Sequence, residues 1–168
     1  MAFRARPATE SDAAAIARIY NQAIEERVAT FQTQPRTVEE IAATLRERGG
    51  RYPAVVVEEA DRVIAWAWAS PYRARAWYAG IAEFSVYVDR AERGRGAGRM
   101  AVEDLIRRCE GLGFWKLLSR IFPENQPSRA LCRSLGFREV GTYRRHGKLD
   151  GAWRDTVIVE RLIGGALE

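Results

Sequence analysis

The order of elements along this 168-residue sequence predicts an α/β fold in a single domain, residues 1–168. Three observations carry that expectation. Apolar residues recur at helical spacing in four stretches, and apolar runs bounded by turn residues mark seven strands. The two kinds interleave as strand, two helices, three strands, helix, strand, helix, two strands, with no internal repeat, low-complexity tract or linker between them. The length suits one substantial core.

Phe3 to Pro7 reads as the first strand. Thr9-Glu10-Ser11-Asp12 has the form of a capping box, a hydroxyl at the N-cap with a carboxylate three residues on. It opens a helix whose apolar face includes Ala15, Ile16, Ile19, Tyr20 and Ala23. A loop around Phe31 to Pro35 leads to a second box, Thr37-Val38-Glu39-Glu40, starting a helix that stops at Gly49-Gly50. Pro53 to Glu58 and Val63 to Ser70 are apolar runs joined by the turn-like Glu59-Ala60-Asp61-Arg62, a hairpin. After the polar and aromatic loop Pro71 to Gly80 come the strand Ile81 to Val88 and an arginine/glycine loop, Arg93 to Arg99. The next helix is expected to bury Ala101, Val102, Leu105, Ile106, Cys109 and Leu112, and ends at Gly111 to Gly113. Trp115 to Phe122 is a strand, and a short helix with Leu131 and Leu135 one turn apart is closed by Gly136. Two last strands, about Glu139 to Arg145 and Trp153 to Leu162, flank a turn at Asp150-Gly151.

Composition excludes several classes. No apolar run reaches the length of a membrane span, so no membrane partner is expected. The two arginines near the N-terminus have no apolar signal core behind them, which points to a cytoplasmic protein. Cys109 and Cys132 sit beside apolar residues in helical patterns and read as buried thiols. One histidine and no clustered Cys/His spacing give no metal site. The net charge of +5 could serve nucleic acid, but the arginines are spread along the chain with no nucleic-acid module. Nucleic acid is therefore not expected as a partner. A small anion or a phosphate-bearing cofactor explains the surplus equally well.

Arg93-Gly94-Arg95-Gly96-Ala97-Gly98 stands between a strand and a helix. Its glycines let backbone N–H groups approach an anion while the helix N-terminus adds positive potential, which suits a pyrophosphate. The bland alternative is a tight turn with exposed arginines. A dinucleotide fingerprint does not fit, because no acidic residue ends a suitable next strand, and the Walker lysine is missing.

Here the sequence resembles a known family. Arg93-x-x-Gly96-x-Gly98 matches the coenzyme A signature of GNAT acetyltransferases, and Asn125-x-x-Ser128-x-x-Leu131 followed by Leu135-Gly136-Phe137 looks like that fold's later motif. Within the superfamily the chain is similar to the phosphinothricin and arsinothricin N-acetyltransferases. That similarity rests on Ala29 to Pro35, Arg51-Tyr52-Pro53, Pro71-Tyr72-Arg73-Ala74-Arg75, Ala82 to Val88 and Gly151-Ala152-Trp153-Arg154-Asp155. The tail from Lys148 to Asp155 leans toward the arsinothricin branch.

The resemblance implies a GNAT fold: a central mixed, mostly antiparallel sheet of six to seven strands flanked by helices and split between strands 4 and 5. It implies acetyl-CoA as cosubstrate, a small-molecule amine as substrate and a homodimer. Glu83 matches the family's general base, needed because an ammonium must lose a proton before it attacks. Strand alternation puts Glu83, Ser85 and Tyr87 on one face, with Ser85 toward the substrate, and Phe84, Val86 and Val88 on the other. By family pattern the backbone of Val86 and Val88 binds the pantetheine arm, an N–H of the strand stabilises the oxyanion, and Gly94, Arg95, Ala97 and Arg99 join Arg93, Gly96 and Gly98 at the pyrophosphate. Asn125 and Ser128 either cap the short helix or approach coenzyme A, and the roles are compatible.

Arg73 and Arg75 match basic positions near the substrate's anionic groups, or are exposed loop arginines. Tyr78 and Phe31 match pocket aromatics, or serve packing. The sequence also departs from the pattern. Cys132 occupies the place where many GNAT enzymes carry a tyrosine acid, so the proton donor is unassigned: the thiol, a water, or none if the thiolate leaves as such. Asp150 aligns with a histidine of the phosphinothricin enzymes and would repel an anion unless paired with an arginine. Arg120 and Phe122 replace smaller residues facing the pocket, while His146 reads as structural or exposed. The expected activity is acetylation of the α-amine of an arsinothricin- or phosphinothricin-like anion, a resistance activity. The alternatives are a methionine sulfoximine or sulfone acetyltransferase, a peptide or protein acetyltransferase, and a non-catalytic acyl-CoA-binding module.

Overall fold

β3 (Arg62–Pro71) shows why the sequence folds into layers. Its middle reads Ala65-Trp66-Ala67-Trp68-Ala69, small and large in strict alternation. A strand sends successive side chains to opposite faces, so one face is shallow and the other carries indoles. α3 (Ala97–Gly111) lies close over the alanines, packing Ala101, Val102, Leu105 and Cys109 there. α1 (Ala13–Glu26) and α2 (Val38–Glu47) cover the tryptophans with Ile16, Ile19, Ile24 and Ile41. Each such side chain removed from water contributes about 1.5–3 kcal/mol.

The computed structural model describes residues 2–168. The other elements are β1 (Arg4–Pro7), β2 (Ala54–Glu59), β4 (Ile81–Val88), β5 (Lys116–Ile121), α4 (Gln126–Ser134), β6 (Arg138–Leu149) and β7 (Ala152–Leu162). The strands form one seven-stranded sheet in the order β1-β2-β3-β4-β5-β7-β6. Every neighbouring pair is antiparallel except β4 with β5. That parallel pairing covers only Ile81↔Lys116, Ala82↔Leu117 and Glu83↔Leu118 before the strands part. Beyond it, β4 stays with β3 through Val88, and β5 stays with β7 through Ile121. Each half of the sheet follows its own partner's twist, and a wedge opens between them.

Both capping boxes form. Thr37 accepts from the Glu40 N–H and starts α2 as expected. Thr9 and Asp12 close the other box, but the turn it starts is a 3-10 turn, Glu10–Asp12, and α1 follows it. Two other expectations need correction. Leu112 falls at the C-cap of α3, where its side chain is 41% exposed rather than buried. The sixth strand runs to Leu149 instead of stopping near Arg145, because a bulge between Tyr143 and Gly147, with Arg145 at φ 49°, lets pairing resume.

Candidate active site

The wedge exposes main-chain groups in the middle of the sheet. Ser119 Oγ donates to the Phe84 carbonyl at 2.9 Å, so Phe84 turns its peptide groups toward β5. A strand repeats that orientation every second residue. Val86 and Val88 therefore also face β5, with no strand left to bond. A cleft of about 60 Å³ lies there, lined by Phe84, Val86, Ser119, Asn125, Ser128 and Cys132 among others. Asn125 caps α4 by accepting from the Ser128 N–H at 3.3 Å, which fixes both residues at the cleft wall.

The glycine loop sits at the end of β4 and is held by Asp89. Asp89 is buried, accepts from Ala91 N–H at 3.1 Å and pairs with Arg18 and Arg62. Burial alone would raise its carboxyl, but the Arg18 and Ala91 hydrogen bonds prevail and hold it below the usual carboxylate range. Gly94 and Gly96 adopt φ 78° and 93°, where side chains are strained, with no atom near either Cβ position. Gly98 is different: a Cβ there would stand 3.1 Å from Val88 Cγ2, so glycine lets α3 approach β4. No side chain caps the start of α3, so its first N–H groups and dipole are available to an anion. The arginines beside it are already paired: Arg93 with Glu26 at 2.7 Å, Arg95 with Glu59 at 2.9 Å, and Arg99 with Glu103 at 3.0 Å.

A second cavity, of about 280 Å³, opens on the α1 side of the same split. Three strands line it, with Glu83, Phe84, Ser85 and Tyr87 from β4, Ser119 and Arg120 from β5 and Thr156 from β7, and Phe122 joins them from just past the end of β5. Ala29, Thr30 and Phe31 contribute from the loop after α1, Tyr20 from α1 and His146 from β6. Glu83 Oε2 accepts from Arg120 at 2.8 Å, and among the described residues Oε1 has no partner. Phe31 packs edge-on against Phe122 with ring centroids 4.9 Å apart. Burial raises the Tyr87 hydroxyl above its ordinary pKa, so it stays protonated. Thr156 is 2% exposed, and its hydroxyl has no hydrogen-bond partner.

Glu83 lines the polar cavity, which shares Ser85, Tyr87, Ser119 and Arg120 with the main-chain cleft, an arrangement suited to removing a proton from an amine in one and acylating it from the other. Comparison with known proteins then decides the family: the description "Acetyltransferase (GNAT) domain" matches residues 3–138. The chain belongs to the GNAT acetyltransferases. The phosphinothricin N-acetyltransferase of Streptomyces viridochromogenes is 35% identical over 156 residues, covering 93% of this chain and 85% of that protein. The L-methionine sulfoximine/L-methionine sulfone acetyltransferase of Pseudomonas aeruginosa is 29% identical, covering 95% of this chain and 94% of its own. A phosphinothricin acetyltransferase from Sinorhizobium meliloti, solved in complex with AcCoA, superimposes with a TM-score of 0.90 at 34% identity, over 98% of this chain and 90% of that one.

In this GNAT acetyltransferase the sites expected from sequence separate into three groups. Glu83 and Phe31 line the larger cavity, and Ser85 and Arg120 line both it and the cleft. Val86, Asn125 and Ser128 line the cleft; Val88, Arg93, Gly94, Arg95, Gly96, Ala97, Gly98 and Arg99 are outside its lining, although Gly98 packs toward Val88 and Val86. Arg73, Arg75, Tyr78 and Asp150 stand outside both linings. Arg73 lies over the Tyr72 ring at 5.1 Å, and Tyr78 meets Tyr72 edge-on, so this loop packs on itself. Asp150 is paired with Arg27 at 3.0 Å, which neutralises the charge opposed to an anionic substrate. Sequence reasoning missed Thr156 and Tyr20 as walls and took His146 as structural or exposed; it is exposed, yet it lines the cavity rim. Cys132 is 3% exposed, and burial pushes its thiol up to about 12. No helix among the described residues is long and apolar enough to cross a membrane, and none of their His, Cys, Asp and Glu side chains cluster for a metal.

Proposed function

We propose that residues 1–168 act as one acetyltransferase domain, transferring the acetyl group of acetyl-CoA to the α-amine of a small anionic amino-acid analogue of the phosphinothricin or arsinothricin type. The single observation that carries this reading is the Glu83–Arg120 pair lining a cavity of about 280 Å³. The cavity offers a proton acceptor for the ammonium and a guanidinium for an anion. Its size suits an amino acid and opposes a peptide segment.

Acetyl-CoA would lie along the cleft, its pyrophosphate at the open N–H groups of α3 and its arm beside the main chain of Val86 and Val88. Glu83 takes the proton from the substrate ammonium, directly or through a water. The neutral nitrogen attacks the acetyl carbonyl carbon, and a β4 N–H facing the split hydrogen-bonds the oxyanion. Collapse breaks the C–S bond. The Cys132 thiol, at about 12, is a poor donor to a thiolate whose conjugate acid titrates near 8.5. The thiolate therefore leaves unprotonated or takes its proton from water. Acetylation removes the ammonium charge, which would disarm a toxic amino acid in the cytoplasm, and the family resemblance supports a homodimer.

A second reading has its own support. Thr30, Tyr20, Tyr87 and Thr156 give the cavity neutral hydroxyls, which suit the oxygens of a sulfone or sulfoximine. The test is thiol release from acetyl-CoA against arsinothricin, phosphinothricin, methionine sulfoximine and sulfone, ordinary amino acids, a polyamine and a short peptide. Turnover led by the oxyanionic glutamate analogues is expected. Turnover confined to the peptide or polyamine, or none at all, would overturn the reading.

A further inference from the structure

Glu83 has two tasks in tension. A proton acceptor serves best when its negative charge is uncompensated, yet Arg120 Nη2 already donates to Glu83 Oε2 at 2.8 Å, so the oxygen still without a partner, Oε1, belongs to a carboxylate already engaged with a cation. The pair spans the split itself: Glu83 is the last residue of β4 in register with β5, and Arg120 lies two residues past its partner, Leu118. Nothing else holds Arg120. Its side chain is 46% exposed, its guanidinium bonds to no other acceptor among the described residues, and it lines the cavity. Around it the cavity offers only neutral hydroxyls, aromatic rings and His146, so no second carboxylate competes for it. An anion entering the cavity is the one new partner available.

We propose that Arg120 gates the base: an anionic group of the substrate draws the guanidinium off Glu83 and frees the carboxylate to accept the ammonium proton. The inference rests on the substrate reading above and deepens it, because it makes the substrate's own negative charge a requirement for turnover and not only for binding. An uncharged amine that fits the cavity binds but leaves Glu83 engaged. The exchange is one ion pair for another, with no bond made or broken, so its cost is modest where the guanidinium is half exposed. Selectivity then appears in kcat, a place where a simple binding contact would not put it.

The anion could be the substrate's α-carboxylate or its head group, and three amines of similar length separate them. Phosphinothricin carries both, L-methionine sulfone only the carboxylate, and L-methionine sulfone amide neither. With the wild-type protein at saturating acetyl-CoA, kcat is expected to fall at least tenfold at the step in this series where the gating anion is lost. Arg120→Gln should raise KM for phosphinothricin roughly tenfold or more while raising kcat for the amide, bringing the three kcat values together. Arg120→Lys should restore part of the wild-type spread. If the wild-type protein acetylates phosphinothricin but shows one kcat for all three amines, or if Arg120→Gln lowers every kcat equally, the gate is wrong and the substrate reading stands. A wild-type protein inert to phosphinothricin and to the sulfone overturns both together.

Discussion

Phe31 stands edge-on to Phe122 in the wall of the larger cavity, ring centroids 4.9 Å apart, with Gly147 packed directly against its ring edge. A Cβ on Gly147 would lie 2.8 Å from Phe31 Cε1, closer than carbon atoms tolerate. The bulge in β6 thus brings bare backbone against the one aromatic ring that the loop after α1 lays over the pocket. Gly147→Ala should displace the ring and loosen the cavity. We expect KM for the amine to rise severalfold while KM for acetyl-CoA, which is proposed to sit in the cleft away from Phe31, stays within twofold. Steady-state kinetics with each substrate varied in turn check this. Equal increases in both constants would mean that Phe31 supports the whole cleft.

Glu83→Gln keeps the shape of the side chain and removes the proton acceptor. Turnover near neutral pH should fall by about 10²–10⁴-fold, the usual contribution of a positioned general base. Acetyl-CoA binding, measured by calorimetry, should be unchanged, because the cleft and the start of α3 do not depend on this side chain. An undiminished kcat would remove Glu83 from the mechanism.

Gly96 at φ 93° begins α3 in open space, so only backbone strain opposes a side chain there. Gly96→Ala should cost about 1–2 kcal/mol, lowering the melting temperature by roughly 2–4 °C for each kcal/mol. If these N–H groups hold the pyrophosphate, the acetyl-CoA Kd should also rise, with the amine KM little affected. A lower melting temperature with an unaltered Kd would confine Gly96 to a structural role.

The thiols predict an alkaline limit. Burial pushes both Cys109 and Cys132 up to about 12, against an ordinary value near 9 when the chain is unfolded. The unfolded thiol therefore releases its proton first. Their stabilising effect is complete below about pH 9 and is lost as pH rises toward 12, by about 1.4 kcal/mol per pH unit for each thiol. Urea unfolding of the wild-type protein and of a Cys109→Ala, Cys132→Ala variant at pH 8 and pH 10 should show the wild type losing more. Parallel losses would mean that the thiols ionise alike in both states.

Local chemistry made much of this molecule legible in advance. The Thr37 box, the strand Ile81 to Val88 and the glycines before α3 depend on neighbours a few residues away, and they formed where the sequence placed them. The resemblance supplied the split and pointed to Glu83 as the candidate base. What stayed hidden were facts of pairing between distant segments. Thr156 became a cavity wall because β7 inserts between β5 and β6, and Tyr20 because its ring packs edge-on to Tyr87 at 5.0 Å. The extra length of β6 rests on a bulge with a left-handed Arg145, which no alternation of apolar residues reports. Asp150 looked hostile to an anion until Arg27, far away in sequence, was seen to answer it.

Most sheets have two rims, and this one has a third, running down its own middle. Amides in central strands normally surrender their hydrogens to deuterated water last, since a neighbour guards them on each side. Val86 and Val88 sit on the fourth of seven strands in chain order, yet they are guarded on one side only. They should exchange at the pace of an outer strand in the free enzyme and slow sharply once the acyl donor is seated. The enzyme would then spend its idle life with a seam ajar, and its ligand would serve for a time as an eighth strand.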